Sequence, residues 1–334
     1  MNPVLLNITI PVYNRFYTTQ KTILTLRKLN NAIPFSITVV DNGSEKALQD
    51  VLVDFAKNKI IDKLFILPRN MGISCACNIG WIGTDAPFFM KLDNNAVIND
   101  SNFIKKLFYF LEQIEPVATL GPAYLNEWID NSPEIKETKF GRLAKCTTNL
   151  PGGALIIPKV VSDQLGYFNE DYNLYGAEDG DYGYRMRMAG FPQYYYENKN
   201  YFTKIYNNEE KYDVNKAQEH RNLFHEEDGK IGLFYVNCIL FSYCIRRWDV
   251  PLRYKIIPLS EYRYDVVERE DYLPIKNALR RSQNMLNHLL NTQITFSLNN
   301  NLAVKSDLVE KLKKVWSECN QECTLENMFN TKSS

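Results

Sequence analysis

The 334-residue chain carries no surplus of charge, with 39 Lys and Arg against 39 Asp and Glu. A protein that grips nucleic acid nonspecifically shows a basic excess, so no nucleic-acid partner is expected. The chain also lacks a long hydrophobic run. Its longest apolar stretch, 231–245, is broken by Asn237 and Ser242 and falls short of the ~20 residues that a spanning helix needs. The start, Met1-Asn2-Pro3-Val4, has no basic segment ahead of an apolar one, so no secretory leader is expected and a cytoplasmic setting is. The seven cysteines are odd in number and include no C-x-x-C pair, which speaks against a zinc site of the usual spacing and for reduced thiols. Neither an internal repeat nor a low-complexity tract is present. A content of 45% hydrophobic and 23% charged residues excludes wholesale disorder.

What is present is alternation. Residues 4–10, 35–40, 64–67 and 88–92 are short apolar runs, rich in β-branched and aromatic side chains, and read as strands. Between them lie the helical stretches 18–30, 45–58 and 74–81; in the first, Ile23, Leu24, Leu26 and Leu29 share one face. Strands alternating with helices give βαβ units and a mostly parallel sheet. Such sheets bind ligands at the carboxyl ends of their strands. Three polar turns stand at those ends: Pro11-Val12-Tyr13-Asn14-Arg15, Asp41-Asn42-Gly43-Ser44 and Asp93-Asn94-Asn95. Turn chemistry alone favours Asn, Asp and Gly there, but three such turns after three strands converge on one edge and mark a site.

A second informative stretch runs from Asn149 to Phe191. The Gly152-Gly153 pair precedes an apolar strand and lets backbone come close to a ligand. Glu178, Asp179 and Asp181 open a helix that Gly190 closes. Helix capping by itself would account for acids at that end. Beyond residue 202 the alternation fades. Residues 207–228 are highly charged and hold His220 and His225; a basic, aromatic segment spans 246–264; helices are expected over 274–290 and 306–317, with a linker at 291–301 and a frayed end from 330.

The ordered series resembles family 2 glycosyltransferases of the GT-A fold. The residues that carry the resemblance are Ile8-Thr9-Ile10-Pro11-Val12-Tyr13-Asn14-Arg15, Val39-Val40-Asp41-Asn42-Gly43-Ser44, Arg69-Asn70-Met71-Gly72 with Asn78-Ile79-Gly80, Lys91-Leu92-Asp93-Asn94-Asn95, and the run from Gly153 through Gly176-Ala177-Glu178-Asp179-Gly180-Asp181 to Gly190-Phe191. The resemblance covers residues 4 to about 200. It implies an α/β, Rossmann-like GT-A sheet, mostly parallel and flanked by helices, over 1–205, with a mainly helical acceptor-side extension over 206–334. It further implies a nucleotide-sugar donor, UDP by default, a hydroxyl of a glycan or lipid-linked glycan as acceptor (a surface polysaccharide, for example), and inversion at the anomeric carbon.

A direct displacement needs a base for the acceptor hydroxyl and positive charge for the diphosphate leaving group. By the resemblance the base lies in the acid pair, and Asp179 is assigned to it, with Glu178 orienting the acceptor. Pro11, Tyr13 and Asn14 then line the nucleotide-base pocket, where Tyr13 stacks on the base. Asp41 or Asn42 meets the polar edge of the base, Arg69 and Asn70 reach the nucleotide or its ribose, and Asp93, Asn94 and Gly153 belong to the donor site. The stretch 231–245 has two readings. One is an amphipathic surface segment, ending in Arg246-Arg247-Trp248, that contacts an anionic membrane face. The other is a buried helix that packs the acceptor side onto the sheet.

Two departures stand out. Asn42 replaces an acid that many relatives carry. Asn95 stands where the family's Asp-x-Asp motif places the second acid, which holds Mg or Mn between the donor phosphates. An amide oxygen binds a hard cation but brings no charge. Three explanations are open: a metal held by Asp93 and another ligand, with His225 as first candidate and His220 as second; diphosphate neutralised by Lys or Arg; or an inactivating Asp-to-Asn change at Asn95 that traps a substrate complex. Two further functions compete with transfer. One is a catalytically degenerate GT-A protein that binds nucleotide or glycan. The other is a nucleotidyltransferase, against which the absence of glycine from Pro11–Arg15 speaks. The oligomeric state is not legible in the sequence.

Overall fold

The computed structural model describes residues 3–29, 32–172, 174–205, 232–289, 294–295 and 303–330. Its first half is built as the alternation requires: β1 (Leu6–Val12), α1 (Phe16–Arg27), β2 (Phe35–Asp41), α2 (Lys46–Lys57), β3 (Lys63–Ile66), α3 (Ile73–Ile82) and β4 (Phe88–Leu92). Then follow β5 (Ala96–Ile98), α4 (Phe103–Leu111), β6 (Thr119–Ala123), α5 (Asn126–Asp130), β7 (Ile135–Thr138), β8 (Gly141–Lys145), β9 (Ala154–Pro158), α6 (Lys159–Leu165), α7 (Glu178–Met188), β10 (Gln193–Glu197) and β11 (Phe202–Lys204). Among the described residues nine strands form one sheet in the order β3-β2-β1-β4-β9-β6-β10-β8-β7. All but β8 and β9 run the same way. The chain winds from β1 outward through β2 and β3, then returns to β4 on the other side of β1. The carboxyl ends of β1 and β4 therefore flank a crevice at the reversal of strand order.

Side-chain alternation decides which face of each strand meets which layer. On β1, Leu6, Ile8, Ile10 and Val12 enter the core shared with Ile23 and Leu26 of α1, Leu48 and Leu52 of α2, and Phe103 and Leu107 of α4. The intervening Asn7 faces α3 and donates from Nδ2 to the Gly80 carbonyl at 2.7 Å. Gly80 has to be small, because a Cβ there would collide with Thr9. On β4, Met90 and Leu92 join the first core. Phe89 points the other way and stacks on Trp81 at 4.1 Å, which puts Lys91 on that second face too.

The carboxyl-terminal segments are α8 (Leu233–Ser242), a hairpin of β12 (Tyr254–Pro258) and β13 (Tyr264–Glu268), α9 (Leu273–Leu289) and α10 (Ser306–Asn330). α10 runs well past the helix expected over 306–317. The hairpin was not expected from the basic, aromatic stretch that holds β12. It lays Tyr254, Ile256 and Val266 against Val40, Phe65 and Ile79 and covers the open edge of β3, where Ile66 N–H donates to the Tyr262 carbonyl at 2.7 Å. α8 buries Val236 through Phe241, so of the two readings of 231–245, it is the packed helix that the described residues form. No helix among the described residues is long and apolar enough to cross a membrane.

A buried polar chain stitches these segments to the sheet. Arg246 donates to Asn237 Oδ1 at 2.6 Å and pairs with Asp171 at 3.0 Å. Tyr272 Oη donates to Asp171, and Asn237 donates to Tyr172 Oη. Tyr172 in turn donates to Asp181 at 2.7 Å, which also pairs with Arg185 at 2.7 Å. Asp181, one of the three acids that open α7, is thus fully consumed by packing. Removing one partner of a buried pair strands the other charge, at about 3–5 kcal/mol. Arg246→Ala should lower unfolding stability by about that amount in urea titrations. Arg247→Ala, whose pair with Asp249 lies on the surface, should leave the midpoint in place.

Candidate active site

The carboxyl ends of β1 and β4, the 149–153 turn and the amino end of α7 enclose a cavity of about 490 Å³. Its wall includes Pro11, Tyr13, Asn42, Asn70, Asp93, Asn94, Asn95, Gly153, Glu178 and Asp179. Residues placed at three strand ends and in one distant helix thus meet around one space. Asn14, Asp41 and Arg69 are not in that wall. His225 and His220 lie outside the described residues.

The turn after β1 explains the position of Asn14. Asn14 and Arg15 take φ of 53° and 58°, a conformation that Asn tolerates better than most residues. The Asn14 N–H donates to Ser44 Oγ at 2.8 Å, and its Oδ1 accepts from the Glu45 N–H at 3.0 Å. Asn14 thereby ties the first turn to the second, while Tyr13 and Arg15 line the cavity. Asp41 sits behind the wall and accepts from the Ser44 N–H and, at 3.1 Å, from Gln49 Nε2. Burial pushes its carboxyl above the ordinary value, against the pull of those hydrogen bonds. Asn42 reaches the cavity wall, but its amide holds the next loop: Oδ1 accepts from Met71 N–H at 2.7 Å, and Nδ2 donates to Asn70 Oδ1 at 2.9 Å. Arg69 is exposed. Its backbone packs on Gly43, which has φ of 78° and no room for a Cβ.

The acid pair sits at the first two positions of α7, entered through Gly176 (φ 97°) and Ala177 (φ 66°). The two acids have different surroundings. Glu178 is buried, and its Oε1 accepts from Lys91 Nζ at 2.6 Å. Its Oε2 is also buried, with no hydrogen-bond partner among the described residues. Burial drives this carboxyl above its ordinary range; Lys91 pulls against that, and Asp179 adds to it. Burial also works against the Lys91 ammonium, but Glu178, with Asp93 and Asp179 further off, outweighs it and holds the group charged. Asp179 is half-buried, with Oδ2 accepting from the Gly152 N–H at 2.9 Å and Oδ1 from the Gly180 N–H at 2.8 Å. It is fixed by backbone and open to the cavity.

The glycine pair is crowded by two lysines and a tyrosine. A Cβ at Gly152 would collide with Lys91 Nζ, and a Cβ at Gly153 with Tyr124 Oη and Lys204 Nζ. Lys204 reaches Asp93 Oδ2 at 2.9 Å and lies over the Tyr124 ring, 4.6 Å from its centroid. Asn94 turns away, donating to Thr19 Oγ1 at 3.0 Å. Asn95 is buried, and its carbonyl accepts from the Ile205 N–H at 2.9 Å.

These donors bear on a divalent metal. Among the described residues no group of three or more His, Cys, Asp or Glu could hold one. The turn after β4 offers one carboxylate, already paired to an ammonium, and the two uncharged amides of Asn94 and Asn95. A second cation at Asp93 would meet the fixed charge of Lys204, so the described residues do not fit a metal held in the way the resemblance implies. The sequence reading assigned no role to Arg15, Lys91, Lys204, Tyr175 or Phe234, which also line the cavity. Lys91 opens the Lys91-Leu92-Asp93-Asn94-Asn95 motif, and a lysine within an apolar strand is the signal for it. Nothing local marks Lys204, whose position depends on the pairing of β11 with β5.

A Rossmann-like, mostly parallel sheet with helices on both faces, a ligand crevice at the strand-order reversal and a helical carboxyl-terminal region is the GT-A architecture. S. aureus TarS 1–349 in complex with UDP-GlcNAc shares this fold, with a TM-score of 0.51 at 16% identity over 72% of this chain and 66% of that one. GalNAc-T7 with UDP, GalNAc and Mn2+ also gives a TM-score of 0.51, at 15% identity over 62% of this chain and 44% of that one. Residues 7–157 match the family model "Glycosyl transferase family 2". Chondroitin synthase of Escherichia coli is 23% identical over 222 residues, 55% of this chain and 32% of that protein. The chain therefore spans about a third of the length of this curated relative. The family match ends before α7, so the acid pair rests on geometry.

Lys91→Met should leave Glu178 buried without its partner, at a cost of about 3–5 kcal/mol near neutral pH. In that variant the folded-state carboxyl titrates above its unfolded value. Stability is then retained below the unfolded pKa and lost as pH rises through the folded one. The deficit measured by urea unfolding should accordingly shrink from pH 8 to pH 5.

Proposed function

We propose that the chain transfers a sugar from a nucleotide-sugar donor to a hydroxyl of a glycan acceptor, with inversion at the anomeric carbon. The observation that carries this reading is Asp179: a half-buried carboxylate, held by the Gly152 and Gly180 N–H groups, facing the same cavity as the turns after β1, β2 and β4. The nucleotide base lies by Pro11 and Tyr13, with the diphosphate toward the turn after β4. The acceptor hydroxyl enters between Asp179 and the Tyr175–Phe234 side of the cavity. Its oxygen forms the new bond to the anomeric carbon while the bond from that carbon to the phosphate oxygen breaks, and its proton passes to Asp179. The nucleoside diphosphate leaves from the opposite face. Asp179 acts mainly through position, as the hydroxyl acidifies during bond formation. Glu178, locked to Lys91, fixes the start of α7 and thereby orients Asp179 and the acceptor.

UDP-sugars are the first donors to test, since the TarS and GalNAc-T7 structures hold UDP-GlcNAc and UDP. Residues 1–205 act as the donor-binding and catalytic part and 206–334 as the acceptor side, where Phe234 already reaches the cavity. No step is routed through a metal, because Asp93 is paired to Lys204. The uncharged Asn95 favours a second reading, a scaffold that binds nucleotide without transfer.

A thermal-shift panel of UDP-, dTDP-, GDP- and CMP-sugars should show stabilisation by one nucleotide class, ~2.7 kcal/mol for a ligand at 100 times its dissociation constant. Asp179→Asn should lower kcat by about 10²–10⁴-fold and leave nucleotide affinity nearly unchanged. Near-full turnover in that variant would remove Asp179 as the base. Donor binding with no transfer to any glycan would favour the binding scaffold, and pyrophosphate release from a nucleoside triphosphate would mean nucleotidyl transfer.

A further inference from the structure

We propose that the Lys204 ammonium supplies the positive charge facing the donor diphosphate, at the place where the family resemblance puts a divalent cation. The inference rests on the nucleotide-sugar reading above and deepens it by naming what neutralises the leaving group. Its basis is strand pairing. β11 runs antiparallel to β5 with Lys204 opposite Ala96, so residue 204 stands beside the Asp93-Asn94-Asn95 turn, and the Ile205 N–H to Asn95 carbonyl bond locks that register at 2.9 Å.

Four features make Lys204 a phosphate-binding charge as well as a surface ion-pair partner. It lines the cavity with Asp93, Asn95 and Gly153. Its side chain keeps 23% of its surface, so the ammonium is supported yet reachable. The Tyr124 ring beneath it and the bare Gly153 backbone give it a seat that a side chain at 153 would destroy. Lys91, by contrast, is 2% exposed and spent on Glu178.

Charge at the turn is consistent with this. One carboxylate and one ammonium sum to zero, so an arriving diphosphate meets no net repulsion. A second carboxylate at 95 would compete with phosphate for Lys204, and Asn95 keeps the shape of an acid without that competition. As the glycosidic bond to phosphate breaks, negative charge builds on the leaving oxygens, and a preorganised ammonium stabilises it where it forms. Lysine serves there as a point charge with three donors.

The test is calorimetric titration of the full chain with UDP, GDP and dTDP, and with the matching nucleosides, in EDTA and in Mn2+. The nucleoside diphosphate that binds should do so with Kd values in the two conditions within about twofold of each other, a difference well under one charged hydrogen bond. Lys204→Gln should weaken it by about tenfold or more, leave the nucleoside unchanged, and be rescued by Lys204→Arg. A fall of about tenfold or more on chelation in the natural chain overturns the proposal without recourse to any variant. So does a Lys204→Gln protein, folded by circular dichroism, that binds the diphosphate as well as the natural chain does. If neither nucleosides nor diphosphates bind in any condition, the nucleotide-sugar reading itself fails and the role of Lys204 falls with it. Nucleoside binding together with a diphosphate indifferent to residue 204 refutes this inference alone.

Discussion

The buried pair of Lys91 and Glu178 is the joint on which the site depends. It connects the middle of the parallel sheet to the first residue of α7, across 87 positions of sequence, at 2.6 Å and almost out of contact with water. Two charges in such a place are costly unless each satisfies the other. The arrangement is therefore stable only when β4 and α7 sit at one spacing. That spacing also brings Asp179 to the Gly152 N–H and lets its carboxylate face the cavity. The neighbouring acids are thus divided by environment: one is sealed and structural in its contacts, the other is held by backbone and reachable.

The same logic accounts for Gly152 and Gly153. Their lack of side chains makes room for Lys91 over Gly152 and for Tyr124 and Lys204 over Gly153. Lys91 serves the acid pair and Lys204 the turn after β4. Backbone approach, expected from the glycines, is real, but what approaches in this structure is lysine, and the glycines still line the cavity. Around this centre the other polar residues of the motifs do bracing work. Asn14 ties the first two turns, Asn42 and Asn70 hold the 70–72 loop, and Asn78 anchors the Phe168 backbone and the Glu170 carboxylate. A motif can therefore be tightly specified by folding even where several of its members never reach the ligand space.

Much of this was legible in sequence because the governing forces are local. β-branched runs ending in Asn, Asp and Gly give parallel strands with polar turns, and a parallel sheet gathers its turns at one edge. Pro11, Tyr13, Asn42 and Asp93 stand in those turns and reach the cavity wall, while the roles expected of them and of Asp179 came from the family resemblance. The hairpin of β12 and β13 was not legible, because its Tyr and Arg residues show no clean alternation and its apolar side matters only against the edge of β3. The roles of Asp171, Arg246 and Tyr272 were hidden for a related reason: each is an ordinary polar residue until burial makes its partner obligatory.

The sequence by itself determined the alternating strands and helices of the amino-terminal half and the gathering of three polar turns at one edge of the sheet, since periodicity and turn chemistry act over a few residues; the acid pair came from the family resemblance. Tertiary structure alone decided how the charges are shared. Which carboxylate takes a lysine, which stays open and which cation stands at the turn after β4 depend on β4 meeting α7 and on β11 pairing with β5. Coulomb energies follow distances in space and loss of water, and neither is written in the spacing of residues along the chain.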